Sequence, residues 1–378
     1  MLHSVREAVV AFCPTLLIST ATVSTVACCL TEKLGIPHIL TYLQPAHPSR
    51  QYFPVMLEWL LSTKRLGFLA RLRCLNGIGH SLITLGGARW SVDHPQAWWV
   101  EKALDLKPAA TRKQLVEMWY RPPCPVLLFV SSHLFPRPSD WDDMIQQPGP
   151  LTVKEDAVEP AEDLRAFVEA KAEPPIYIGW GSMVCRSATF MTELACRAIW
   201  LANARGVVLG GWAKLSVDAL DRSKADFANL KAYVDANVFF VPPAAACPHE
   251  WLFRRCKLTV HHGGAGTMVA AVRAGRPTII TPVAFDQHVH ARWVSRIGCG
   301  RGTSALGRVT PKELLGAIKK CNSTEMVETA KRIGELVRSE NGVESSVKMI
   351  GSYLESQVET GRWKEMFEQR WTSLRRQK

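Results

Sequence analysis

The stretch from Leu258 to Pro282 limits what this chain can fold into more than any other. Leu258-Thr-Val260 is a short apolar run of strand type. His261 to Gly266 is a turn whose glycines, Gly263, Gly264 and Gly266, let the backbone approach a ligand closely. The pattern then predicts a helix over Thr267–Ala274, stopped by Gly275 and Pro277, and a second strand at Thr278–Ile280. Strand, helix, strand in that order argues an α/β protein with parallel strands. A glycine-rich turn that opens a helix aims free N–H groups and the positive end of a helix dipole at one point. That is a site for phosphate.

The residue types narrow the phosphate ligand. A dinucleotide fingerprint needs Gly-x-Gly-x-x-Gly, but Gly264-Ala-Gly266 runs on into Thr267, Met268 and Val269. The acidic ribose-binding residue is missing as well, and no Gly-Lys-Ser/Thr occurs here. What the turn does carry is His261 and His262 at its mouth and, about twenty residues beyond it, Asp286-Gln287. The histidines can donate to a phosphate, and Asp286 and Gln287 suit vicinal sugar hydroxyls. Diphosphate and sugar groups served together suggest a nucleotide-sugar site.

His261-His-Gly-Gly-Ala-Gly-Thr267 with Phe285-Asp-Gln287 resembles the donor-site signature of GT-B UDP-sugar glycosyltransferases. Cys247-Pro-His-Glu-Trp-Leu-Phe253, Ile176-Tyr-Ile-Gly-Trp-Gly-Ser-Met183 and Ser131 to Trp141 are similar to segments of the sterol 3-beta-glucosyltransferase branch, with Glu250 where that branch has Asp. The resemblance implies two Rossmann-like parallel-sheet domains facing a cleft. It divides the chain into a partial acceptor-side domain at 1–135, a linker at 136–175, a UDP-sugar domain at 176–345 and a C-terminal helix at 346–378 that packs back on the first domain. The implied reaction moves a hexose, glucose, from a UDP-sugar to a hydroxyl of a sterol or another lipophilic acceptor, with inversion. The implied donor-binding residues are Gly181, Ser182, His249, Trp251, His261, His262, Gly263, Gly264, Ala265, Gly266, Thr267, Asp286 and Gln287. A helix end and a histidine stabilise the leaving diphosphate in such a site, so neither metal nor cofactor is expected.

The first half is less complete. Enzymes of this family begin with a strand and a Gly-Ser/Thr-Arg-Gly-Asp-Val-Gln-Pro-like loop, which nothing here matches, so the first domain is expected to be truncated. His47, on the polar loop Gln44–Pro54 that corresponds to the acceptor side, is the candidate base. The alternative reading is a chain that binds UDP-sugar without turnover.

Composition excludes more than it assigns. The 378 residues are enough for two domains, and the net charge of +12 suits an anionic ligand or a peripheral contact with an anionic membrane surface. No basic run interleaved with aromatics and no zinc spacing points to nucleic acid. Eleven cysteines without regular spacing form no disulfide framework and suggest a reducing, cytoplasmic setting. The uncharged span Ala8–Thr31 is broken by Pro14 and rich in Ser and Thr. It reads as a strand followed by a helix rather than a membrane span. Trp59, Trp90, Trp98 and Trp99 read as core residues, and the aromatics of Val343–Trp371 as a docking face.

Overall fold

The computed structural model describes residues 2–20, 23, 27, 30, 31, 33–52, 122, 124–152, 159–242 and 247–376. The tryptophans at 59, 90, 98 and 99, and most of the helix expected after Ser24, lie outside the described residues. The chain forms two compact units. Unit 1 comprises Met1–Ser132, Pro136–Leu151 and Asn341–Lys378, and unit 2 comprises His133–Phe135 and Thr152–Glu340.

Unit 1 opens with helix α1 (Leu2–Phe12) and carries a four-stranded parallel sheet. Its strands β1 (Leu17–Thr20), β2 (His38–Tyr42), β3 (Val126–Leu128) and β4 (Ile145–Gln146) lie side by side in chain order. The strand expected at Thr15–Ile18 sits two residues later because its ladder starts where Leu17 N–H donates to Pro37 O. Partner register, not local apolarity, sets that boundary. Every residue of β2 is buried, as a central parallel strand covered on both faces requires.

Unit 2 alternates helix and strand throughout: α2 (Glu162–Glu169), β5 (Ile176–Gly179), α3 (Ala188–Leu201), β6 (Gly206–Leu209), α4 (Phe227–Asn237) and β7 (Val238–Val241). It continues with α5 (His249–Arg254), β8 (Leu258–His261), α6 (Ala265–Arg273), β9 (Thr278–Ile280), α7 (Gln287–Ile297), β10 (Gly300–Gly302), α8 (Pro311–Cys321) and α9 (Thr324–Ser339). Local signals explain several ends. Ser187 Oγ caps α3 by accepting from Phe190 N–H, and Thr310 Oγ1 caps α8 ahead of Pro311, whose fixed φ suits a first helical turn. Gly298, at φ +82°, ends α7 in the left-handed conformation.

The six strands of unit 2 are parallel, in the order β10-β9-β8-β5-β6-β7. The chain runs outward from β5 to β7, returns to β8 beside β5, and runs outward the other way. The winding therefore reverses between β5 and β8. In an open parallel sheet the crevice for a ligand lies at the carboxyl ends of the strands flanking that reversal. Ile176, Ile178, Leu258 and Val260 are buried there, so close packing holds the two strands that flank the crevice.

The chain then returns to unit 1 as α10 (Gly342–Tyr353), a π-turn (Leu354–Val358) and α11 (Arg362–Arg376). The single amphipathic stretch expected from Val343 to Trp371 is thus two helices joined by a wider turn.

Candidate nucleotide-sugar site

Two loops meet at the reversal point, the turn after β5 and the turn after β8. Trp180 follows β5 and is buried, and its Nε1–H donates to Thr281 Oγ1 at 2.7 Å. An unpaired buried donor would cost about 1–3 kcal/mol, so this bond fixes the β5 end against the β9 end. Gly181 adopts φ +56°, and its carbonyl accepts from Trp212 N–H, which ties the β5 loop to the β6 loop. Ser182 stands exposed at the tip.

The β8 turn leads straight into α6. Its N-cap is Gly264, which has no side chain to satisfy the helix start. The N–H groups of Ala265, Gly266 and Thr267 therefore have no partner within the helix. A Cβ added at Gly266 would meet nothing within 4 Å, so this helix end opens on free space. Three donors and a dipole face one point, as a phosphate site needs.

The two adjacent histidines divide the work differently from the expectation. His261 is the last residue of β8 and is fully buried. Its Nδ1 accepts from Gly263 N–H at 3.0 Å, and its Nε2 bonds to Thr278 Oγ1 at 2.8 Å. Both nitrogens are spent inside the protein, so direct donation from His261 to a phosphate is corrected to support of the turn. His262 is the ring that meets both loops. A Cβ at Gly181 would lie 3.6 Å from its Cε1, and one at Gly264 only 2.5 Å from its Nε2. Its Nδ1 has no protein partner.

Burial holds these imidazoles neutral. It pushes His261 well below the ordinary value, with His262, His249 and His290 adding to the effect. His262 is lowered by burial while the Asp286 carboxylate opposes the shift. His249, at the start of α5, falls to about 4 through burial and the nearby His262, and its Nε2 bonds to Tyr177 Oη at 3.2 Å. The structure thus gathers His249, His261 and His262 around the turn.

Asp286 precedes α7, half-buried and close enough to bias His262 electrostatically. Gln287 is buried. Its Oε1 accepts from Val283 N–H and Ala284 N–H, and only its Nε2, on the Met183 sulfur at 3.7 Å, makes a weak contact. The oxygen expected to serve a sugar therefore shapes its own loop. Trp251, expected among the donor-binding residues, packs in the core. It is 9% exposed, and Arg255 lies over its ring at 4.5 Å. An Arg273–Glu250 ion pair joins α6 to the same helix.

His47, the candidate base in unit 1, is packed away from solvent. It is 4% exposed, and the rings of Tyr42 at 5.3 Å and Trp141 at 6.4 Å present their edges to it. Burial lowers it to about 4. It serves packing.

Three further residues stand on the site side, of which only Phe285 belongs to a segment that the sequence singled out. Trp212, 75% exposed beside Gly181, and Phe285, 77% exposed at φ +53° just before Asp286, present apolar rings at strand-end loops. Exposed aromatics in a strained or tethered backbone are the signal that structure adds. His290, on α7, bonds to the turn itself. Among the described residues no group of three or more His, Cys, Asp or Glu could hold a metal ion, and no helix is long and apolar enough to cross a membrane.

The chain is similar to several known proteins. Residues 223–341 match the family model of the erythromycin biosynthesis protein CIII-like C-terminal domain. The chain is 31% identical over 358 residues to the sterol 3-beta-glucosyltransferase of Leptosphaeria maculans, covering 91% of this chain and 23% of that one. It is 33% identical over 227 residues to the sterol 3-beta-glucosyltransferase UGT80A2 of Arabidopsis thaliana, covering 60% and 33%. The chain thus spans a third or less of these relatives. Its fold is similar to the crystal structure of the glycotransferase of kitacinnamycin, with a TM-score of 0.62 at 19% identity over 94% of this chain and 79% of that one. The two parallel-sheet units have the GT-B fold.

Proposed function

We propose that this chain, a homologue of the sterol 3-beta-glucosyltransferases with the GT-B fold, binds a UDP-sugar at the β8 turn and transfers its hexose, glucose, to a hydroxyl of a sterol or another lipophilic acceptor. The observation that carries the reading is the uncapped start of α6 facing open space beside His262, whose Nδ1 has no protein partner. A diphosphate supplies acceptors for the N–H groups of Ala265, Gly266 and Thr267.

In the proposed reaction the acceptor oxygen attacks the anomeric carbon from the face opposite the diphosphate, and the configuration inverts. The bond to the diphosphate oxygen breaks, UDP leaves with the electron pair, and the acceptor hydroxyl's proton is released to solvent. Negative charge grows on the diphosphate as this happens. N–H groups already aimed there, those of Gly264 to Thr267, stabilise that charge without reorganising. His262 donates from the side, and the Asp286 carboxylate accepts from hexose hydroxyls and holds the ring in register. Ser182, exposed at the β5 tip, suits a contact with the diphosphate. A net charge of +12 favours a peripheral encounter with an anionic membrane that holds the lipophilic acceptor.

A second reading, donor binding without transfer, is favoured by one observation. His47, the base expected from the sequence, is packed and held at about 4. One pair of measurements separates the two. UDP-glucose binding is followed by calorimetry, and radiolabelled glucose transfer by extraction of sterol from anionic vesicles. Binding with transfer supports the enzyme, binding alone supports the second reading, and no binding removes both.

A further inference from the structure

Gly263 has φ +92°, and a Cβ there would strike the Ile280 side chain at 2.6 Å, so only glycine fits. Both of its backbone groups are held by imidazoles. Its N–H donates to His261 Nδ1 at 3.0 Å, and its carbonyl accepts from His290 Nδ1 at 2.6 Å. His261 and His290 are each fully buried, so both act from behind the turn.

A trans peptide is planar, and its C=O and the following N–H point to opposite sides. Drawing the Gly263 carbonyl toward His290 therefore turns the Gly264 N–H away from His290. We propose that His290 is a positioning residue: with His261 it clamps Gly263 and so fixes the direction in which the Gly264 N–H is offered to the diphosphate. The identity of that anion rests on the function proposed above; the clamp does not. His290 belongs to α7, whose start carries Asp286 and Gln287. A Cβ at Gly263 would also lie 3.6 Å from Gln287 Cα. One hydrogen bond thus joins the phosphate-facing turn to the sugar-facing helix, and donor groups at either end share one alignment.

The clamp demands opposite tautomers. A carbonyl only accepts, so His290 carries its proton on Nδ1, and its Nε2, which has no partner, is bare. An amide only donates, so His261 Nδ1 is bare, and its proton sits on Nε2 toward Thr278 Oγ1. The groups near His290 include the Trp293 ring at 5.0 Å, the Asp286 carboxylate and the His261 and His262 imidazoles, and burial favours the neutral ring.

The test begins with long-range proton–nitrogen NMR of the full chain without ligand. The clamp predicts the Nδ1–H tautomer for His290 and the Nε2–H tautomer for His261; Nε2–H at His290 overturns it. His290→Asn keeps a donor at the Nδ1 position, and His290→Leu keeps bulk without one. UDP affinity is expected to fall roughly tenfold in the Leu variant and to recover to within about threefold of the parent in the Asn variant. Leu and Asn variants that bind UDP equally contradict the clamp. If the parent chain binds no UDP, the proposed function fails. The tautomers and the Gly264 amide resonance, shifted by Leu and restored by Asn, then decide the clamp alone.

Discussion

Two histidine-bearing strand ends, one in each unit, show how alike residues take different roles. Beyond β2 in unit 1, His47 is enclosed by Tyr42 and Trp141. Beyond β8 in unit 2, the imidazoles of His261, His262 and His290 surround glycine backbone instead of aromatic rings. All four are strongly buried and lowered from the ordinary imidazole value, chiefly by desolvation. The titration shift is therefore not what separates them. The separation lies in what the nitrogens face, and in the open helix start that only the β8 turn provides.

The sharpest break in this comparison is His262→Ala against His47→Ala. Loss of a hydrogen bond to a charged group costs about 1.5–3 kcal/mol, so the first variant is expected to weaken UDP binding roughly 10- to 150-fold. Its fold should stay intact. The second should leave UDP binding unchanged while costing roughly 2 kcal/mol of stability in a thermal melt. Equal effects on binding would erase the distinction.

Next come the two glycines of the turn. At Gly264 a Cβ meets His262 Nε2 at 2.5 Å, whereas at Gly266 it meets nothing. Gly264→Ala should displace His262 and lower both stability and UDP affinity. Gly266→Ala should keep the stability or raise it by up to about 1 kcal/mol, and still weaken UDP roughly tenfold by filling ligand space. Undiminished binding in Gly266→Ala would show that the open side is not the ligand side.

Asp286→Asn sharpens the division between sugar and phosphate. UDP-glucose affinity is expected to fall roughly fivefold with UDP affinity unchanged, as competition titrations would show. The smallest effect concerns pH. A bound diphosphate favours the imidazolium form of His262, whose value in the free protein is lowered by burial. Affinity should therefore rise as pH falls, about twofold from pH 7.5 to 6.5, with proton uptake that His262→Gln abolishes. His47, held at about 4, stays neutral across that range and adds nothing.

The elements bounded by strong local signals were legible in the sequence. The strands at Gly206–Leu209, Val238–Val241 and Thr278–Ile280 and the helices at Pro311–Cys321 and Thr324–Ser339 lie where apolar runs meet Gly, Pro or a capping residue. The fold class followed from their alternation. What was not legible turned on pairing. The β8 strand was expected to end at Val260, but Gly179 pairs with His261 across the sheet and extends it by one residue. That single step buries His261 and leaves His262 to meet the two loops. The enclosure of His47 involves Trp141, far along the chain, and the engagement of Gln287 with its own loop depends on the backbone path before α7. Neither is written in local pattern.

The central claim is that the uncapped start of α6 and His262 hold the diphosphate, and a crystal structure with UDP tests it most directly. The account predicts diphosphate oxygens within hydrogen-bond reach of the N–H groups of Gly264 to Thr267 and of the His262 ring, with His261 and His290 still behind the turn. UDP bound elsewhere in the chain, or a diphosphate contacting His261 instead of His262, would contradict it.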